Sequence, residues 1–232
     1  MNTALVLAGG GIKTAVVAAR LAKEHQLLML HIDYGQPSRE MEYQSVQRLA
    51  ASFPTAKVST MDISKAGLAS GSVHAARDKT NVGSIVEDQG LGGLFPTLLS
   101  LAFKPIHQIG TDNIAVGLSR FADHSHLGFA HGEGGSVRLR EFVHAFNMVL
   151  DALSTSKRRV QIDAPLINLS YLEIVKLADR FQLPVANLWS CWGAGPGPCG
   201  HCGGCLQRSK AIAQSVISVS GREKSEVVAP VT

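Results

Sequence analysis

The chain has 232 residues, enough for one large domain with a sizeable core or for one domain plus a small appendage. Hydrophobic residues make up 45% and charged ones 17%, yet no stretch approaches the ~20 consecutive apolar residues of a membrane span, and the first residues lack the basic start and apolar core of a secretion signal. A net charge of +4 suits anionic small molecules or nucleic acid without selecting either, but aromatics at 6% are too few for a base-stacking surface, so the expectation is a cytoplasmic protein with no membrane or direct nucleic-acid partner.

In chain order, "TALVLA" (3–8) is a strand-like apolar run ending in the glycines Gly9, Gly10 and Gly11. "IKTAVVAARLAKEH" (12–25) then reads as a helix, "QLLMLHID" (26–33) as a second buried strand, "SREMEYQSVQRLAASF" (38–53) as a helix after Pro37, and "AKVSTMDI" (56–63) as a third strand. This βαβαβ run with short connections predicts a parallel sheet covered by helices. Between 64 and 95 the pattern fails and an irregular loop is expected. "PTLLSLAFKPI" (96–106) is helical until Pro105, and "NIAVGL" (113–118) is a fourth strand. A His- and Gly-rich loop (119–136), a helix (137–153), a fifth strand (159–166) and a helix (170–183) follow, the last with Ser170 and Glu173 spaced as a capping box. The short basic run Lys157–Arg159 reads as a solvated loop. A last helix is expected near 206–218. The implied organisation is a nucleotide-binding-type domain over 1–185, a metal segment with its helix over 186–220, and a frayed tail over 221–232.

All four cysteines fall between Cys191 and Cys205, spaced C-x7-C-x2-C-x2-C. A secreted protein would spread its cysteines to staple distant elements. Here Cys199, Cys202 and Cys205 sit on a glycine-rich knuckle, "CGHCGGC", and Cys191 arrives from upstream. Four thiolates complete a tetrahedral zinc shell with no open position, so a structural zinc is expected, against an iron–sulfur cluster, whose usual spacings differ, or a redox pair. His201 within the knuckle reads as a donor to a carbonyl rather than a ligand.

The segment "SCWGAGPGPCGHCGGCLQR" resembles the C-terminal metal segment of 7-cyano-7-deazaguanine synthases, enzymes of queuosine biosynthesis. "IDYGQPSREME" (32–42), with Asp33 and Tyr34, is similar to that family's D-Y-G-Q turn, "REFVHAFN" (140–147), with Arg140 and Glu141, to its R-x-E-F helix, and "DAPLINLSYLEIVKLA" (163–178) to its T-P-L segment. The resemblance implies an α/β, Rossmann-like (adenine nucleotide alpha hydrolase-like) parallel sheet with helices on both faces and a C-terminal zinc-binding segment. It further implies ATP pyrophosphatase chemistry with magnesium. A carboxylate is activated as an adenylate, pyrophosphate leaves and ammonia attacks; the family's product is a nitrile made from 7-carboxy-7-deazaguanine. A homodimer is expected by the same resemblance.

The phosphate loop departs from the family pattern S-G-G-x-D-S. Ala8 stands for the first Ser, Gly9 and Gly10 match, Gly11 fills the variable place, Ile12 replaces the Asp and Lys13 the second Ser; Thr14 keeps a hydroxyl nearby. The Arg of the family's V-P-G-R-N turn is absent from "GGLF" (92–95), and Tyr171 stands where a Lys is expected. An Asp in such a loop holds magnesium or orients water, and Ile12 does neither. Backbone N–H groups at a helix N-terminus still favour an anion, and Lys13 adds a point charge; the alternative is an empty turn with Lys13 solvated and Ile12 buried. ATP and Mg²⁺ therefore stay open as ligands. His124, His126 and His131, with Arg138 and Arg140 beyond them, form either an altered active site at the carboxyl edge of the sheet or a polar loop. Two readings of the whole stand: a synthase-like protein binding a nucleotide or deazapurine, and an inactive paralogue kept for binding or scaffolding.

Overall fold

The computed structural model describes residues 2–66, 94–119, 135–154 and 159–225. Five strands form one sheet: β1 (Asn2–Leu7), β2 (His25–Asp33), β3 (Lys57–Asp62), β4 (Asn113–Ala115) and β5 (Gln161–Asp163). Their order is β3-β2-β1-β4-β5 and every pair is parallel, with Ala4 opposite Leu27, Leu30 opposite Ser59, Leu5 opposite Ile114, and Ile114 opposite Ile162. The helices are α1 (Ile12–Leu21), α2 (Arg39–Ala50), α3 (Leu94–Ile109), α4 (Gly135–Leu153), α5 (Tyr171–Arg180) and α6 (Gly203–Ser225).

The two-residue period of the strands feeds two cores. Ala4, Val6 and Ala8, with Leu27 and Met29, face Val16 and Val17 of α1, Val46 and Leu49 of α2, and Ile174 of α5. Leu5, Leu30, Ile32, Ile114 and Ile162 face the other way, onto Leu99, Ala102 and Ile106 of α3 and Leu139 and Leu150 of α4. Both faces are thus covered, as the continuous apolar runs of β1 and β2 require.

Several boundaries differ from the sequence reading. α1 stops at Leu21 rather than 25, so that β2 begins at His25; β4 and β5 are shorter, at Asn113–Ala115 and Gln161–Asp163, and α5 is Tyr171–Arg180. The two largest differences are in α3 and α6. α3 begins at Leu94 and runs through Pro105 to Ile109. Proline removes one N–H and crowds the preceding turn, but Ile106 is wholly buried and Ile109 packs on the same core, which holds the last turn in place. Gly110, at φ +73°, then ends the helix, its N–H donating to the Ile106 carbonyl at 3.0 Å. α6 starts earlier than expected, at Gly203 inside the cysteine knuckle, and extends to Ser225, past residue 218 and into the stretch read from the sequence as a tail. The capping box of α5 is present: Glu173 N–H donates to Ser170 Oγ at 3.2 Å, and Ser170 N–H donates to Glu173 Oε2 at 2.7 Å.

After β3 the chain returns to the opposite side of β1 to lay down β4. The carboxyl ends of β1 and β4 therefore lead away from each other, which is where open parallel sheets bind ligands.

Candidate ligand cavity and metal centre

From β1 the chain passes through Ala8–Gly11 into α1. Gly10 takes φ +73°, and a Cβ on it would lie 2.7 Å from the Glu42 carbonyl oxygen and 2.9 Å from Ser45 Cβ. Only glycine accepts that conformation so close to the backbone of α2. Gly9 is the opposite case, because a Cβ there would meet nothing within 4 Å. Gly11 caps α1 without a side-chain hydrogen bond, and the first turn carries no acid. Ile12, which stands where the family has its Asp, is 1% exposed and belongs to the core under α1. On the far side, β4 continues into Gly117, where a Cβ would lie 2.9 Å from Lys13 Cβ and 3.2 Å from Thr14 N. The strand end is pressed directly onto the first turn of α1.

A cavity of about 190 Å³ occupies this crevice. Its floor is Ala8, Gly9, Gly11, Ile12, Lys13 and Thr14, so the first-turn N–H groups that no helix carbonyl can satisfy lie along it. One wall is Phe95, Leu98 and Val116–Leu118; another is Ile32, Tyr34, Gln36 and Glu42; the third is Tyr171, Trp189, Ser190, Trp192 and Gln207. Among the described lining residues Lys13 is the one cation and Glu42 the one acid.

The D-Y-G-Q turn builds the second wall. Asp33 Oδ1 accepts from Gly35 N–H at 2.9 Å, and its other oxygen lies 3.7 Å from Arg39 Nε, so Asp33 is engaged in the turn and is not part of the lining. Buried Gln36 accepts from Tyr34 N–H at 2.9 Å and donates to the Ile32 carbonyl at 3.1 Å and to Glu42 Oε2 at 3.0 Å. Ser38 Oγ donates to Glu42 Oε1 at 2.6 Å. Burial pushes the Glu42 carboxyl above the ordinary range, against these two hydrogen bonds. Burial also raises Tyr34, helped by the nearby Glu42 and Asp33 carboxyls. Tyr171 likewise stays a neutral phenol, raised by burial against the opposing influence of Ser190 and Arg208.

Behind the third wall the four cysteines converge, their sulfurs all within 4.8 Å of one another. The Cys199–Cys205 and Cys191–Cys202 sulfur pairs are 4.0 and 3.9 Å apart, close to the ~3.8 Å edge of a tetrahedron with 2.3 Å zinc–sulfur bonds. Gly193 N–H and Cys199 N–H both donate to Cys191 Sγ at 3.3 Å. With the Cys202 thiol as the largest influence, these contacts hold Cys191 near a pKa of about 4, ready as a thiolate. The donor set fits a metal. His201 is exposed, and its Nδ1 donates to the Cys199 carbonyl at 2.8 Å, away from any ligand role.

The other residues singled out in the sequence lie elsewhere. Gly10 is buried with its back to α2 and does not line the cavity. Arg140 and Glu141 are exposed on α4, Arg140 donating to Asn168 Oδ1, and neither lines the cavity. Arg138 lies in the first turns of α4, its side chain outside the described residues, as are His124, His126 and His131. Sequence reasoning missed Gln36, Glu42, Trp189 and Gln207, which reach the cavity from the turn after β2, from α2, from the chain before Cys191 and from α6. It also missed Gly117, whose close approach to Lys13 leaves no local signature.

A doubly covered parallel sheet, a glycine loop at the β1–β4 crevice and a four-thiol cluster beside it define an α/β protein with a C-terminal cysteine cluster that could hold a metal. The chain belongs to the queuosine biosynthesis protein QueC family, whose model matches residues 3–216. It is 30% identical to a 7-cyano-7-deazaguanine synthase of Synechococcus sp. over 92% of this chain and 96% of that one. It is 27% identical to a 7-cyano-7-deazaguanine synthase of Methanospirillum hungatei over 91% and 94%. A synthase of the same name from Saccharolobus solfataricus is 27% identical over 90% of this chain but 44% of its own length. A solved structure described as a predicted subunit of tRNA methyltransferase from Methanocaldococcus jannaschii superposes with a TM-score of 0.43 at 16% identity, covering 77% of this chain and 75% of that one, a likeness too loose to carry functional meaning. Among the described residues no helix is long and apolar enough to cross a membrane.

Proposed function

We propose that this chain is a 7-cyano-7-deazaguanine synthase-like protein whose cavity takes a nucleotide or a deazapurine, and that the four cysteines hold a structural zinc. The observation that carries the reading is the crevice itself: N–H groups of α1 without a side-chain cap and Lys13 on the floor, and the aromatic residues Tyr171, Trp189 and Trp192 to one side. The N–H groups and Lys13 suit an anion. The aromatic wall suits a planar ring. The zinc supplies no chemistry to the cavity, since a closed four-sulfur shell leaves no position for substrate.

Magnesium does not fit the described cavity. Ile12 has replaced the loop's acid, and Glu42, the one carboxyl among the described lining residues, is pushed by burial toward its neutral form. The phosphate charge in this reading is met by Lys13 and the α1 N-terminus. On that footing the activity carried by the relatives' names would proceed by acyl-adenylate formation. The substrate carboxylate displaces pyrophosphate from ATP, and ammonia then displaces AMP to give the amide; the nitrile follows only if a second ATP activates the amide oxygen, which then leaves as AMP with loss of the two amide protons. The second reading, a catalytically silent binding protein, is favoured by the same replacements, which remove the acid at Ile12 and leave a neutral phenol at Tyr171 where the family carries a Lys.

The deciding experiment is pyrophosphate release with ATP, 7-carboxy-7-deazaguanine and ammonium, beside an ATP titration followed by tryptophan fluorescence. Turnover establishes the synthase reading. ATP binding without turnover selects the silent binder, and no ATP binding overturns the nucleotide reading of the cavity.

A further inference from the structure

The glycine loop and the cysteine segment are far apart in sequence, yet one hydroxyl joins them. Ser45 of α2 is wholly buried. Its Oγ donates to the Gly10 carbonyl at 2.7 Å and accepts from Trp189 N–H at 3.0 Å. That N–H is shared with the Gly10 carbonyl at 3.1 Å. The Asn187 carbonyl, 3.5 Å from Ser45 Oγ, is at the limit of any interaction, so the single hydroxyl proton goes to Gly10. Loop, α2 and metal segment therefore meet at one three-membered polar joint.

The segment on the other side of the joint packs against the four-cysteine cluster. Trp189 lies two residues before Cys191 and packs in the same cluster as Cys191, Cys202 and Cys205. A Cβ on Gly204, between two ligating cysteines, would fall 2.0 Å from the Ser190 carbonyl oxygen, so the knuckle presses directly on this strand of chain. Arg208 of α6 clamps its start, donating to the carbonyls of Leu188 at 2.5 Å and Val185 at 2.7 Å. Gly10 has no slack of its own, being fixed between α2 and its positive φ.

We propose that Ser45 is a positioning residue that transmits the state of the cysteine centre to the glycine loop, so that metal occupancy sets the order of the cavity floor. The structural argument stands without a ligand; its consequence for affinity rests on the nucleotide reading above. By linkage, a ligand on the loop would tighten metal retention by the same factor that metal tightens the ligand.

The test uses the full chain, zinc-loaded and chelator-stripped, with deuterium uptake followed peptide by peptide. Stripping should raise uptake across residues 8–16 as well as 189–205, with 25–33 in β2 unchanged. Zinc-loaded Ser45→Ala should raise uptake across 8–16 while 191–205 stays protected. Ser154→Ala, which loses a hydroxyl bond to the Leu150 carbonyl at 2.7 Å far from the loop, should leave 8–16 as in the parent. Loop uptake unmoved by Ser45→Ala overturns the proposal, as does an equal response to Ser154→Ala. If the stripped chain unfolds throughout, the zinc-loaded variants still decide. In the ligand arm, Ser45→Ala should weaken ATP binding about tenfold, within the usual span of site-to-site couplings. Equal ATP affinity in the two proteins overturns the transmission to affinity. ATP that fails to bind the zinc-loaded parent overturns the nucleotide reading and leaves the exchange arm to decide the coupling.

Discussion

Two adjacent glycines in the loop should respond oppositely to the same methyl group. At Gly10, alanine would have to hold φ +73°, which costs about 1–2 kcal/mol for an L-residue. Its methyl would also sit 2.7 Å from a backbone oxygen of α2, which cannot rotate away as a side-chain tip could. Overpacking of that kind adds about 1–3 kcal/mol. Gly10→Ala is therefore expected to lose about 2–5 kcal/mol, a large part of the roughly 5–15 kcal/mol that holds an ordinary domain together. At Gly9 the φ lies outside the positive range and the methyl meets nothing within 4 Å, so Gly9→Ala should fold within about 1 kcal/mol of the parent. The space it enters is the cavity above the α1 N-terminus, and ATP binding should fall at least about tenfold, because a methyl there holds an anion away from the N–H groups. Urea denaturation gives the stabilities, and a fluorescence titration the affinities, since Trp189 and Trp192 are the chain's two tryptophans and both line the cavity. Parental stability in Gly10→Ala would refute the packing argument. Parental ATP affinity in Gly9→Ala would refute the placement of the anion.

Cys202→Ser should bring metal content to background and lower the urea midpoint, because three remaining thiols leave the shell open; metal analysis after gel filtration and a melt check both. Ser170→Ala removes the capping hydroxyl of α5 and should cost about 1 kcal/mol by denaturant titration. Glu42 gives a pH signature. Burial raises its folded value, so the folded chain binds a proton that the unfolded chain has already released, and stability declines as pH rises from about 4 through the raised value. Glu42→Gln should remove that decline, its advantage over the parent growing toward neutrality; urea midpoints at several pH values read the slope, and parallel profiles would count against a raised carboxyl.

Most of the scaffold was legible because its signals are local. The apolar runs of β1 and β2, each feeding both cores, announce a covered parallel sheet, and Ser170 with Glu173 announces the start of α5. Pro105 misled because the local penalty of a proline was outweighed by burial of Ile106, which only the tertiary fold supplies. The cysteine spacing was informative for the same local reason, since glycines in the knuckle let three sulfurs turn inward. The cavity was legible along its floor and little else. Glu42 looks like one more charge on a helix until Gln36 folds back onto it, and Ser45 looks like a neutral helix position until the chain from 185 to 191 is laid across it.

The glycines of the loop cannot be read as one motif. Gly10 is demanded by α2 and would be required whether or not anything is ever bound, so its presence says nothing about phosphate. Gly11 is intermediate, a Cβ there approaching the Trp189 carbonyl at 3.3 Å. Gly9 alone keeps its smallness facing empty space, above N–H groups that no side chain caps. The loop's shape is thus maintained by its neighbours without the acid, whereas the anion binding we propose would depend on Gly9, Lys13 and the α1 terminus together. A side chain at position 9 would cost the fold almost nothing, so Gly9→Ala separates the two demands: lost ATP binding at parental stability assigns the open space to a ligand, and unchanged binding leaves the loop a turn held by its neighbours.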